Sequence, residues 1–231
     1  MRTAFLLLCS FTAVASVSAQ GVFQDIMSGT LINPENGVYS WYELKDTENG
    51  RTLFVRQAIV GEKKVQGKKG YYLETEIVPD VGFPIIYKML LTGPATDKNN
   101  VHEIIVREGF GAPETIALDN LEGAEDEKSP EAARTSLGTE TVKTPAGDIQ
   151  AEHFSIEQGG LKTEVWISDT VRPMGIVRMI SSDGELLLSR SGQGGADGES
   201  AMNRTPPEEI RPDVKVRVES GPTRNFSGKA Q

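Results

Sequence analysis

A single cysteine, Cys9, is all that the 231 residues contain, and it lies in a stretch that reads as a leader. Met1-Arg2 makes a short positive start, and Thr3–Val14 is apolar apart from small polar residues. Val17-Ser18-Ala19 then sets small or short side chains at the cleavage positions. Residues 1–19 are therefore expected to be a signal peptide cut after Ala19. Lipoprotein anchoring at Cys9 is not expected, because Leu8 stands where a small residue belongs and the preceding apolar run is very short. Loss of Cys9 leaves no disulfide, no thiolate nucleophile and no cysteine metal site. A secreted chain of this size without disulfides must be held by its core, which suits the bacterial periplasm.

Histidine is almost as scarce. His102 and His153 are the two present; they are not spaced as a zinc pair, and His153 reads as an ordinary strand residue. No later apolar run reaches the ~20 residues that span a bilayer, so no transmembrane segment is expected after signal cleavage. There is no basic excess either. A formal charge of −9 argues against nucleic acid or anionic lipid headgroups as electrostatic partners. Catalytic signatures are missing as well. Gly109-Phe110-Gly111 lacks the third glycine of a dinucleotide loop, and neither a nucleophile elbow nor a phosphate loop occurs. Glu114–Glu131 holds seven acids against Lys128, without the mid-loop glycine and closing glutamate of a calcium loop, and reads as a solvated acidic connector. No catalytic residue, metal or cofactor is expected, and the chain is not read as an enzyme.

Short alternating strands between legible turns are what the sequence does have. Within Gly138–Gly192, reversals fall at Thr144–Asp148, Gln158–Gly160 and Ser182–Glu185, where Pro, Gly and Asp suit tight turns. The segment Leu161–Ser168 alternates with period 2, so Leu161, Thr163, Val165 and Ile167 share one face and Lys162, Glu164, Trp166 and Ser168 the other. Strands are also expected around 38–45, 51–61, 71–78, 84–92 and 101–107, with Pro84–Thr92 apolar on both faces and central. A two-residue turn at Asp183-Gly184 pairs Ser182 with Glu185 and Ile180 with Leu187. Near-adjacent strands with short loops imply antiparallel meanders. One or two short helices are expected, around Phe23–Met27 and Ser129–Arg134. The expected fold is mainly β, a single antiparallel domain over 20–192. A flexible glycine- and proline-rich tail is expected over 193–231, with one further strand at 214–218.

Four segments of the second half carry a resemblance: Glu140–Gly147, Ala151–Phe154, Thr163–Asp169 and Pro173–Arg178. Ile59–Lys63 and Lys88–Leu90 extend it into the first half. Together they resemble a family of uncharacterised secreted bacterial proteins, itself similar at a distance to the periplasmic lipoprotein-localisation factors. The resemblance implies a curved, unclosed half-barrel whose concave apolar face, covered by short helices, holds lipid acyl chains. None of those factors' functional residues matches onto this chain. Combined with the period-2 reading, it makes Leu161, Val165 and Ile167 the ligand-lining candidates. It implies a non-catalytic carrier or chaperone whose partner is a lipid or the acyl chain of a lipoprotein. The other reading is a structural or protein–protein module of the cell envelope with a filled core and no small ligand.

Overall fold

The computed structural model describes residues 30–47, 50–118, 133–158 and 160–204. It contains eleven strands: β1 (Val38–Asp46), β2 (Thr52–Val65), β3 (Lys68–Pro79), β4 (Ile85–Leu91), β5 (Val101–Glu108), β6 (Glu114–Ile116), β7 (Ala133–Thr144), β8 (Gly147–Gln158), β9 (Leu161–Ile167), β10 (Ile176–Ile180) and β11 (Gly184–Gln193). A four-residue helix α1 (Gly195–Gly198) and 3-10 turns at Lys98–Asn100 and Ala201–Asn203 complete the described residues.

The strands form one antiparallel sheet in the order β6-β5-β4-β3-β2-β1-β11-β10-β9-β8-β7. Two hairpin meanders, β1 to β6 and β7 to β11, each follow from short turns between alternating segments. Gln66 and Gly67 both adopt positive φ, 48° and 82°, the geometry that lets a two-residue turn follow the strand twist. The meanders are joined where β1 pairs with β11 from Val38↔Gln193 to Asp46↔Gly184. β6 and β7 are left at the edges, so the sheet is not closed. It is nonetheless curled, since β7 approaches β10 and β11 across intervening strands.

The mainly β, antiparallel, unclosed fold is as read from the sequence, but several local readings shift. The β10–β11 turn falls one residue earlier than expected. Ser181 N–H bonds the Gly184 carbonyl and Ile180 pairs with Glu185, while Gly184 stays out of the left-handed region and opens β11. The Ser181 hydroxyl bonds the Asp183 carboxylate, which steadies that tighter turn. Glu114–Ile116 of the acidic stretch forms β6 against β5. Arg134 lies in β7 rather than in a helix, paired with Ile156. The chain beyond 192 continues on the sheet as far as Arg204. The expected turn at Phe23–Met27, the rest of the acidic connector and the strand at 214–218 lie outside the described residues.

Candidate functional site

Cross-strand register sorts the side chains onto two unlike faces. On the inner face, Met89 pairs with Leu73 and Leu73 with Ile59. Val55 pairs with Tyr42 and Tyr42 with Leu188. Leu186, Met179, Val165 and Phe154 continue the row through β11, β10, β9 and β8. These side chains belong to one buried hydrophobic cluster, a mainly apolar face running from β4 to β8. Burial is graded along it. Leu44, Ile59, Leu73, Leu186 and Leu188 are completely buried, whereas Ile85, Tyr87, Ile104 and Val106 on one flank and Ile156, Thr163 and Ile167 on the other are half-buried. One polar row crosses this face: Ser40, Gln57, Thr75 and Tyr87 pair successively across β1 to β4. Ser40 Oγ donates to the Arg172 carbonyl at 2.6 Å. The Tyr42 and Thr75 hydroxyls are buried with no hydrogen-bond partner among the described residues. Burial pushes the Tyr42 phenol well above its usual value, partly offset by the neighbouring Ser40.

The three lining candidates are not equivalent. Val165 is 3% exposed and sits between Phe154 and Met179. Ile167 is half-buried and packs close to Gly175. Leu161 faces solvent at the β8–β9 turn, 63% exposed. The structure therefore brings Val165 and Ile167 to the inner wall and leaves Leu161 at its rim.

The outer face carries a polar arrangement that the sequence reading did not single out. Arg190, Trp41, Arg56, Glu76, Ile86 and Arg107 form one register row across six strands, and residues 194–204 lie along it as a strap. Arg56, completely buried, donates to Glu76 at 2.7 Å, to Glu74, and to the Asp197 carbonyl at 2.7 Å. Trp41 Nε1 donates to Asp197 Oδ1 at 3.0 Å. The 3-10 turn Ala201–Asn203 is held at both ends. Glu74 accepts from Ala201 N–H at 2.7 Å and from the Ser200 hydroxyl, while Arg107 donates to the carbonyls of Ala201, Met202 and Arg204. A carboxylate thus meets the free N–H end and a guanidinium the free carbonyl end, the polarity a short helical turn prefers. Gly198 permits the approach, since a Cβ there would collide with the Gly37 carbonyl.

A second outer row joins β8 to β10. His153 stacks on Trp166 at 4.1 Å, and Arg178 lies over the other ring at 5.1 Å. His153 Nδ1 is 3.3 Å from Glu140 and Nε2 is 3.2 Å from Glu164. Trp166 Nε1 donates to Glu140. Lys162, hydrogen-bonded to Glu164, holds that carboxyl below its usual range. His153 is thus a strand residue in a stacked, paired setting, as its position suggested. Among the described residues no group of three or more His, Cys, Asp and Glu could hold a metal ion. No helix among them is long and apolar enough to cross a membrane.

No protein-family model matches the chain, and no curated protein matches it in sequence. Among solved structures it is similar to a candidate exported protein with a YmcC-like fold from Bacteroides fragilis. That match has 10% identity and a TM-score of 0.38, over 71% of this chain and 100% of that one. It is also similar to a candidate lipoprotein from Parabacteroides distasonis, with 13% identity and a TM-score of 0.39 over 71% and 99%. MucB matches at 10% identity and a TM-score of 0.37, over 79% of this chain and 61% of MucB, and it also matches in its complex with MucA.

Proposed function

We propose that the protein is a non-catalytic component of the cell envelope that binds an apolar or lipid-like ligand on the inner face of its curled sheet, as a carrier or chaperone. The observation that supports this reading is the mainly apolar face from β4 to β8, crossed by one polar row, buried at its centre and half-buried along both flanks. Apolar walls with few polar groups are the usual lining of sites for hydrophobic ligands. The complete burial of Leu44, Leu73, Leu186 and Leu188 favours the second reading, an envelope interaction module whose interior is simply a filled core.

Ile167→Ala separates the two. In a filled core the substitution leaves a cavity and costs about 2–5 kcal/mol. On a ligand wall the lost contacts are partly with the guest, so the ligand-free protein loses much less while affinity for a fluorescent fatty acid falls. Both quantities are measured on the same variant, beside native mass spectrometry of protein purified from its own envelope. Large destabilisation, with no fatty-acid binding by the parent and no co-purifying lipid, would leave only the interaction module.

A further inference from the structure

The large hydrophobic residues exposed among the described residues are Phe54, Val81, Phe83, Phe110, Leu137 and Leu161, and they are not scattered. Each lies at, or in the half of its strand nearest, the rim formed by the β1–β2, β3–β4, β5–β6, β8–β9 and β10–β11 turns. The opposite rim carries lysines instead, Lys63, Lys64, Lys68 and Lys69 around the β2–β3 turn. The end of the apolar rim nearest the β6 edge is a built platform. Val81 is 85% exposed, Phe83 68% and Phe110 48%. The two phenylalanines meet edge to face at 5.9 Å. Gly109 N–H donates to the Pro84 carbonyl at 2.7 Å, tying the two turns together, and Gly111 N–H closes back on Glu108 at 3.1 Å. Gly109 holds φ at 55° with the Phe83 side chain close above it, where a larger residue would be strained. Apolar side chains held in water by fixed backbone contacts mark an interaction surface.

The charges beside the platform narrow the partner. Asp80, Glu108 and Glu114 are exposed and none forms an ion pair among the described residues. Arg107 is 6% exposed, and its guanidinium donates to the Gly111 carbonyl of the platform turn at 3.1 Å and to the strap carbonyls of Ala201, Met202 and Arg204, so it presents little free cation to a partner. Acids next to the phenylalanines oppose an anionic bilayer, and Asp80 beside Val81 would be drawn into the interface of a zwitterionic one. We propose that the β6 end of this rim, the platform of Val81, Phe83 and Phe110, docks a protein segment whose apolar side chains are flanked by lysine or arginine. Its acids border the flank of the inner face, since Glu108 pairs with Ile85 and Glu114 with Val106, but the proposed docking does not require that face to be occupied.

The test uses the exported protein, 15N-labelled, and two synthetic heptapeptides with a common Phe-Leu-Phe centre, one flanked by lysines and one by glutamates. The lysine peptide is expected to move the amide resonances of Gly82, Gly109 and Gly111, with a dissociation constant at least about tenfold tighter than that of the glutamate peptide at low salt. Adding salt is expected to narrow that gap. Phe83→Ser/Phe110→Ser, with both positions exposed, should keep its melting temperature to within a few degrees and lose the shifts. Asp80→Asn/Glu108→Gln/Glu114→Gln should bring the two peptides to equal affinity. Equal binding of both peptides by the parent, or shifts confined to residues 63–69, would overturn the proposal. So would concentration-dependent shifts at the platform without peptide, which would make a second copy the occupant, or flotation with phosphatidylcholine vesicles that the serine variant loses, which would make it a bilayer.

Discussion

Arg56 carries the largest single consequence in the sheet. It is wholly buried between Glu74 and Glu76, so Arg56→Ala leaves the buried Glu74 without its cation and Glu76 with Arg204 alone. Breaking one side of a buried pair costs about 3–5 kcal/mol, and urea unfolding of this variant should show a loss of that size. Lys69→Ala removes a solvent-screened pair with Glu62 on an exposed lysine and should leave the urea midpoint almost unchanged. Equal losses in the two variants would show the Arg56 network to be solvated. The signal for this site was present in the sequence: a lone cation inside the apolar run Leu53–Val60, with two glutamates spaced by two in the next strand. Alternation alone counted Arg56 as one position of a face and did not ask where its charge would be paired. Tyrosine titration offers an independent check. Burial and a 2.7 Å bond to Glu103 raise Tyr72 to about 12, and burial also raises Tyr42 and Tyr87. Groups whose pKa rises on folding contribute stability that is complete below their unfolded value near 10 and is lost as pH climbs toward the folded value. Absorbance at alkaline pH should show these phenols ionising late, together with unfolding. Three early, independent ionisations would contradict the burial described here.

At the scale of elements, the strap is where local chemistry and tertiary packing part company. Gly192–Gly198 has the composition of a linker, and nothing in its own periodicity indicates docking. What holds it belongs to other elements: Arg56 on β2, Glu74 and Glu76 on β3, and Arg107 on β5. The strands were legible for the opposite reason, because period-2 alternation and turn residues are local signals. β6 was hidden by its charge, since Glu114–Ile116 pairs with β5 at an exposed edge where acids cost little. The β10–β11 turn was displaced by one residue because the Ser181–Asp183 contact outweighed the glycine signal at Gly184. Truncation tests the strap. A chain ending at Arg204 keeps every contact named here, whereas one ending at Gln193 uncovers Arg56, Glu74 and Ile86. A loss of about 3 kcal/mol would lower the melting temperature by roughly 6–12 °C in the shorter chain alone. Identical melting of both truncations would mean that the strap rests on the sheet without supporting it.

For the molecule as a whole, the decisive contact is the one between β1 and β11, the first and last strands of the described residues. The two meanders are continuous in sequence only through residues 117–132, yet they are adjacent in space through the β1–β11 ladder. Nine residue pairs run along that ladder, and Tyr42 and Leu44 on β1 meet Leu188 and Leu186 on β11 within the common core. Neither meander presents a covered inner face by itself. Tyr42 and Val55 depend on Leu188, and Met179 and Leu186 depend on β1. The parts should therefore not behave as two domains, even though the acidic stretch between them has the composition of a linker. A protease site inserted between Leu118 and Ala133 gives a direct measurement. After cleavage the two fragments are expected to co-elute as one particle on gel filtration and to unfold in a single urea transition. That transition should shift to lower denaturant, because the unfolded state has gained a chain break and refolding has become bimolecular. Dilution should then lower the midpoint further, as it does for an assembly of separate chains. Fragments that separate in native buffer, or two transitions at unequal denaturant, would show that each meander carries its own core and that the β1–β11 ladder is incidental.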